Sequence, residues 1–286
     1  MENWYIFAIL ALLLLGTQRF LYKVSAEKGF NTAVTTTSFM ATVAVLSTIL
    51  FFVQGRSLSG LGPLILISAI NSGTFLIATI SHIEALKRVP SSVAYPIIRL
   101  NVAVVVLFSI VFFKDRLTSY QIAGIVTAII VILLLARDAQ KGDAQFKGAK
   151  EGIAYVLVSL FSGAGATISS KFAALHTDKL AFMALSYTIS MICSFGLRKR
   201  MVVESVPGDT RKAVFLGLFM GLINLGGFYA FLEALSNGPL SIIASIMGMH
   251  FVISILLSSL IYKEALTPTR LVGMVLTVLS VILLRL

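Results

Sequence analysis

A chain of 286 residues that is 58% apolar, 12% charged and +0.97 in mean hydropathy cannot cover a soluble surface, which takes about a quarter charged residues. Hydrocarbon is the better solvent for it, so membrane lipids are its expected surroundings. The formal net charge of +11 would suit a nucleic acid, but the Lys and Arg residues fall mostly between apolar runs, where juxtamembrane cations belong, and no nucleic-acid partner is expected.

In chain order, about ten apolar segments can be drawn, each near the ~20 residues that a ~30 Å hydrocarbon core demands. They run 4–23, 33–53, 62–86, 90–113, 119–137, 151–174, 179–197, 212–236, 239–262 and 268–286. No positive charge precedes the first, and no small-x-small cleavage pattern follows it, so it reads as a retained helix rather than a signal peptide. Nearly continuous apolarity, without alternation, predicts helices and not a barrel. Pro90 and Pro239 stand where the fourth and ninth helices open, a position that tolerates a missing N–H. Pro96 lies deeper in the fourth and should loosen its hydrogen-bond ladder. Residues 138–150 form a polar linker between an N-terminal half, 1–137, and a C-terminal half, 151–286. The lone cysteine, Cys193, rules out an internal disulfide and reads as a small buried hydrophobe.

The two halves carry the same text. Glu84 to Leu135 lies without a gap on Glu233 to Leu284: Glu84-Ala85-Leu86 on Glu233-Ala234-Leu235, Pro90 on Pro239, Ser92 on Ser241, Lys114 on Lys263, Leu117-Thr118 on Leu266-Thr267, and Gly124 on Gly273. Isolated Leu and Val matches mean little between membrane helices, but Pro, Gly, Lys and a Glu-Ala-Leu triplet sharing one offset indicate duplication. Five helices per half is an odd number, so the second half must enter the membrane from the opposite side. The expected fold is an all-α membrane protein of two inverted five-helix repeats, the usual basis of alternating access. Orientation is less settled. Lys and Arg are concentrated on the side away from the termini, chiefly in 137–150 and 198–212, which by the positive-inside rule puts both termini outside.

The block "EALKRVPSSVAYPIIRLNVAVVVLFSIVFFKDRLTSYQIAGIVTAIIVILLL" resembles the EamA domain of the drug/metabolite transporter superfamily. The pattern is Ala85-Leu86, a short basic or polar turn, an apolar helix, the Asp115-Arg116-Leu117-Thr118 turn and Gly124; the second copy gives Ala234-Leu235, Glu264-Ala265-Leu266-Thr267 and Gly273. Lys23 and Lys171 match a lysine common at those helix ends. Departures are the Asp-Arg-Leu and Glu-Ala-Leu turns and the Glu before each Ala-Leu pair. The resemblance implies secondary transport, in a cell membrane, of a small-molecule substrate, by a monomer or weak homodimer with its termini in the cytoplasm, against the charge count.

Charge inside a membrane is costly unless paired or hydrated, so ionisable residues in the spans are the default site candidates. Arg99 is the sharpest, about nine residues past Pro90 and roughly 13 Å along the axis. With Arg19 and His250 it is expected to line a central cavity, as in similar transporters, completed by Asn71, Tyr95, Asn101, Asn224 and Tyr229. Guanidinium forks there suit a carboxylate or phosphate, so a phosphorylated or lipid-linked substrate is the alternative to a small polar metabolite. Glu84, Glu233 and His250 are the candidates for proton coupling.

The competing reading of each is structural: Arg99 pairing with Glu84, Glu233 with Lys23 and Lys171 snorkelling to the interface, His82 packed or interfacial, His250 hydrogen-bonding between helices, and Gly163, Gly165, Gly217, Gly221, Gly226 and Gly227 serving close packing. No Walker loop, zinc-spaced cluster or nucleophile elbow occurs, so no cofactor, metal or enzymatic activity is expected. A non-transporting scaffold or enzyme is the reading outside transport.

Overall fold

The computed structural model describes residues 3–58, 60–86, 88, 94, 97–138, 149–197, 210–262 and 267–286, and all regular structure among the described residues is helical. The helices are α1 (Asn3–Glu27), α2 (Thr32–Val53), α3 (Leu61–Leu86), α4 (Asn101–Phe108), α5 (Ser119–Asp138), α6 (Ala149–His176), α7 (Lys179–Leu197), α8 (Thr210–Asn237), α9 (Leu240–Gly248), α10 (His250–Tyr262) and α11 (Pro268–Arg285). Seven helical stretches are long and apolar enough to cross a membrane, α9 and α10 together forming one of them. Ile97–Phe113, Ser119–Leu134 and Lys179–Cys193 are the apolar helical stretches described within the other three expected spans. The linker 138–150 lies almost wholly outside the described residues, as do Pro90, Ser92, Tyr95 and Pro96.

Large apolar side chains such as Leu66, Val111, Phe215 and Val275 point outward, as a hydrocarbon solvent allows. Several hydroxyls within the helices are satisfied at home: Thr42 donates to Ser38 O, Ser47 to Val43 O and Thr48 to Ala44 O, one turn back in each case. Helix starts are capped by chemistry visible in the sequence. Asn31 Oδ1 accepts from the amides of Ala33 and Val34, Asp178 Oδ1 from those of Leu180 and Ala181, and Thr267 Oγ1 from Arg270 ahead of Pro268.

Packing runs mostly between halves and respects the duplication. Helix α3 packs on α6 as α8 packs on α1; α2 packs on α8 as α7 packs on α3; α5 meets its counterpart α11. Glycines permit the closest of these approaches, as the packing reading expects. A Cβ on Gly221 would stand 2.5 Å from Thr42 Cβ, and one on Gly217 would stand 2.7 Å from Ser38 Cβ, so α8 rests directly on α2. Gly221→Val is therefore expected to lower the melting temperature of the detergent-solubilised protein by several degrees, since overpacking typically costs about 1–3 kcal/mol. An unchanged melting temperature would mean the two helices can separate freely.

Both halves interrupt one helix at the same place. The ninth span was expected to run unbroken over 239–262, with His250 mid-helix. Instead Met249, at φ −90° and ψ 3°, separates α9 from α10, its amide bonding back three residues to Ile246 O at 3.1 Å. In the first half Leu100 does the same, its amide bonding to Ile97 O at 3.0 Å before α4 begins. Met249 and Leu100 are repeat counterparts. Proline cannot be the common cause, because the counterpart of Pro96 is Ser245, whose hydroxyl donates to Ser241 O at 2.8 Å. Such back-bonding also bends helices. Helix α4 then relaxes into a π-helical turn, Ser109–Phe113, and Lys114 closes it in the left-handed region at φ 54°.

Candidate functional site

The breaks gather the chain's mid-span polar groups. His250 opens α10, and its Nδ1 meets Met247 O at 2.5 Å, so that nitrogen carries the proton. Its Nε2 is out of contact with solvent and lacks a hydrogen-bond partner among the described residues. Arg99 precedes the other break, with its guanidinium 5.5 Å from the ring centroid of Phe251. Its repeat counterpart is Gly248, where a Cβ would fall 2.8 Å from both Val102 and Ile132. One half thus packs tightly where the other holds a charge. Gly16 lets α1 close on this point, since a Cβ there would be 2.7 Å from His250 O. Arg19, one turn further along α1, is exposed, yet its charge acts on His82, His250, Tyr22 and Tyr187. Arg19 is thus an exposed cation whose charge still reaches these less exposed rings. The Arg99 charge acts on the same two histidines. Two guanidiniums and two imidazoles from α1, α3, the Arg99 turn and α10 converge at the breaks.

The remaining predicted residues lie elsewhere. Asn71 Nδ2 is engaged by α6, through Ala166 O at 2.8 Å, Ser169 Oγ at 2.9 Å and Ser170 Oγ at 3.1 Å. Asn224, buried in α8, receives the Tyr187 hydroxyl at 2.5 Å and donates to Gln18 Oε1 at 2.8 Å, tying α7, α8 and α1 together. The Asn101 amide rests against Gly163, whose added Cβ would sit 3.1 Å from Asn101 Nδ2. Glu84 is held by Arg88 at 2.5 Å, and Arg88 also reaches Glu151 at 3.6 Å. Glu233, expected to snorkel for want of a mate, is instead paired with Lys179 at 2.9 Å. Tyr229 bonds Arg56 and Glu233. The Asp178 hydrogen bond at 2.6 Å, backed by Tyr229, holds the Arg56 guanidinium above its ordinary range. Tyr95 lies outside the described residues.

These last ion pairs belong to a closure at the end that holds both termini, where Trp4 packs on Gly238 and Tyr5 donates to Val281 O at 2.6 Å. Its centre is the turn between α8 and α9. Lys171, expected to snorkel, is buried there and donates to Leu235 O at 2.5 Å and Gly238 O at 3.0 Å, occupying the carbonyl end of α8. Asp115 reaches across from the first half. It accepts from Ser109 Oγ at 2.5 Å, Ser241 Oγ at 2.6 Å and Ser241 N at 3.1 Å, and so caps α9, whose own N-cap Pro239 offers no side chain. A cation at one helix end and an anion at the next thus pin the turn from both sides. Lys171 also lies 5.6 Å over Phe113, as its counterpart Lys23 lies 5.7 Å over Tyr262, the repeat mate of Phe113.

Three similarities bear on this arrangement. The sequence pattern described as the EamA-like transporter family matches residues 2–137 and again 150–286. An uncharacterized transporter of Archaeoglobus fulgidus is 22% identical over 213 residues, covering 74% of this chain and 73% of that protein. A protein of known crystal structure shares the fold, with a TM-score of 0.80 at 15% identity over 100% of this chain and 99% of that one.

Proposed function

The chain belongs to the EamA-like transporter family and is a multi-pass integral membrane transporter built of two repeats, and from that premise we propose an alternating-access secondary carrier of a small polar metabolite. The observation that carries this reading is the pairing of a broken-helix centre, with His250 Nε2 unsatisfied among the described residues, to a closure at the end of the bundle that holds the termini. Broken helices supply free backbone and side-chain polar groups at mid-membrane, where continuous helices offer none. The Lys171–Asp115–Ser241 set closes the end with the termini. Lys23, the sequence counterpart of Lys171, is assigned the matching task at the other end in the alternate state, as an inverted pair of halves would require. The accessible Arg19 favours a carrier over a scaffold with a solid apolar interface. Export or exchange across the cell membrane is the proposed role.

The test is counterflow. Purified protein in liposomes preloaded with pools of amino acids, organic acids or sugars should show saturable exchange of one labelled class. Absence of saturable exchange for every class would overturn the carrier reading. Proton coupling is tested in the same vesicles with Glu84→Gln and Glu233→Gln. The variant at the coupling position should lose accumulation driven by a pH gradient and keep counterflow. Equal loss of both would leave that carboxylate its ion-pair role alone.

A further inference from the structure

Away from the helix breaks, at the end that holds the termini, a groove of about 580 Å³ runs along α1 from Trp4 to Leu13, with Arg285 of α11 beside it. We propose that this groove binds one membrane phospholipid with a net negative headgroup, its phosphate on Arg285 and an acyl chain laid along α1. The proposal is independent of what the carrier transports, because the groove opens outward to the hydrocarbon.

The lane for the chain is one face of α1. Ile6, Leu10 and Leu13 follow one another at helical spacing and are 53%, 42% and 46% exposed. From Trp4 to Leu13 the groove spans nine residues, about 13 Å, which is close to one leaflet's share of a ~30 Å core. Trp and Tyr favour the headgroup level, so Trp4 and Tyr5 mark where the lane meets the interface. Arg285, in the last turn of α11, is exposed there, and its charge acts on Tyr5. Among the described residues no carboxylate is paired with it. The walls are set in advance: Tyr5 donates to Val281 O at 2.6 Å, joining α1 to α11, and the Trp4 ring packs on Gly238. A water-soluble anion would leave the lane uncovered. A zwitterionic lipid covers it but brings its own cation to Arg285, whereas an anionic phospholipid matches both the lane and the charge. The competing role of Arg285 is to complement the carbonyl end of α11, and that role carries no preference among headgroups.

Trp4 is the single tryptophan of the chain, so its fluorescence reads the groove directly. The full-length protein is placed in vesicles of equal parts phosphatidylglycerol and phosphatidylcholine, with bromine on the acyl chains of one lipid in one set and of the other lipid in a second set. Bromine quenches at short range, so the two sets report which lipid lies against Trp4 while the headgroup composition stays the same. Quenching should show a preference of about fivefold for phosphatidylglycerol, the size of effect that one basic residue has at a membrane surface. Arg285→Gln should bring the preference below about twofold, and Arg285→Lys, which keeps the charge, should retain most of it. Equal quenching by the two lipids in the unaltered chain would overturn the proposal without recourse to any variant. A preference that survives Arg285→Gln would overturn it as well, since the headgroup would then be read elsewhere. So would an absence of quenching in both sets, which would mean that another occupant, such as a second copy of this chain, covers the groove.

Discussion

Arg99→Ala is expected to reduce substrate uptake in proteoliposomes by about a hundredfold or more, with the protein still inserting, purifying and melting normally. Truncating one partner of a buried, charge-assisted contact typically costs about 2–5 kcal/mol, and each 1.4 kcal/mol is tenfold, which is the loss expected if Arg99 contacts the substrate as proposed. The competing role is structural, because the guanidinium also stacks over Phe251 and could be holding the Arg99 turn against α10. The repeat counterpart decides how much weight to give that role. Gly248 sits at the same point of the other break without any side chain, and the break forms regardless. Arg99 is therefore dispensable for the turn itself. Arg99→Lys sharpens the test: it keeps the charge and loses the fork, so it should retain partial uptake with a raised KM. Unchanged uptake in Arg99→Ala would remove the residue from the site, and a lowered melting temperature would assign it to packing.

The repeat was readable because it is written in residues that membrane helices seldom match by accident, such as Pro90 with Pro239 and Gly124 with Gly273. Gly124 shows what such a glycine serves: a Cβ there would stand 2.9 Å from Leu284 Cγ, and its carbonyl accepts from the Ser280 hydroxyl at 2.8 Å where α5 meets α11. The mismatched positions, Arg99 with Gly248 and Asn101 with His250, flank the breaks, yet the breaks themselves left no trace in the text. Leu100 and Met249 are ordinary helix formers, and Pro96 marks only one of the two spans. Direction was equally hidden. A helix that is apolar all round has no polar face to give its phase, so nothing in the sequence said that Asn71 and Asn224 turn toward neighbouring helices. Lys171 was misread for a related reason. Near a helix end, a lysine can either reach the interface or fold onto a neighbour's carbonyls, and only the placement of the α8–α9 turn separates the two. Asp115 stood in a recognisable turn, but its partner Ser241 is in the other half, and no spacing rule links them.

Lys171→Met should shift the protein toward a state open at the end that carries the termini. The methionine keeps much of the buried stem and removes the cation, so the loss falls on the carbonyls of Leu235 and Gly238 at the end of α8. Leaving buried acceptors unsatisfied costs about 1–3 kcal/mol, which moves a two-state equilibrium by roughly tenfold to a hundredfold. The readout is a cysteine at Ser245, fully buried between the closure and the break, in a Cys193→Ser background. Its alkylation by a membrane-impermeant maleimide should be slow in the parent and at least ten times faster with Lys171→Met. Asp115→Asn should have a smaller effect in the same direction, because the amide oxygen can still accept from Ser241 while its charge at the start of α9 is gone. If both variants melt lower and Ser245→Cys stays protected, then Lys171 and Asp115 fasten the α8–α9 turn without controlling access. Faster alkylation with an unchanged melting temperature would instead mean that the two states differ in energy by little more than this pair of caps.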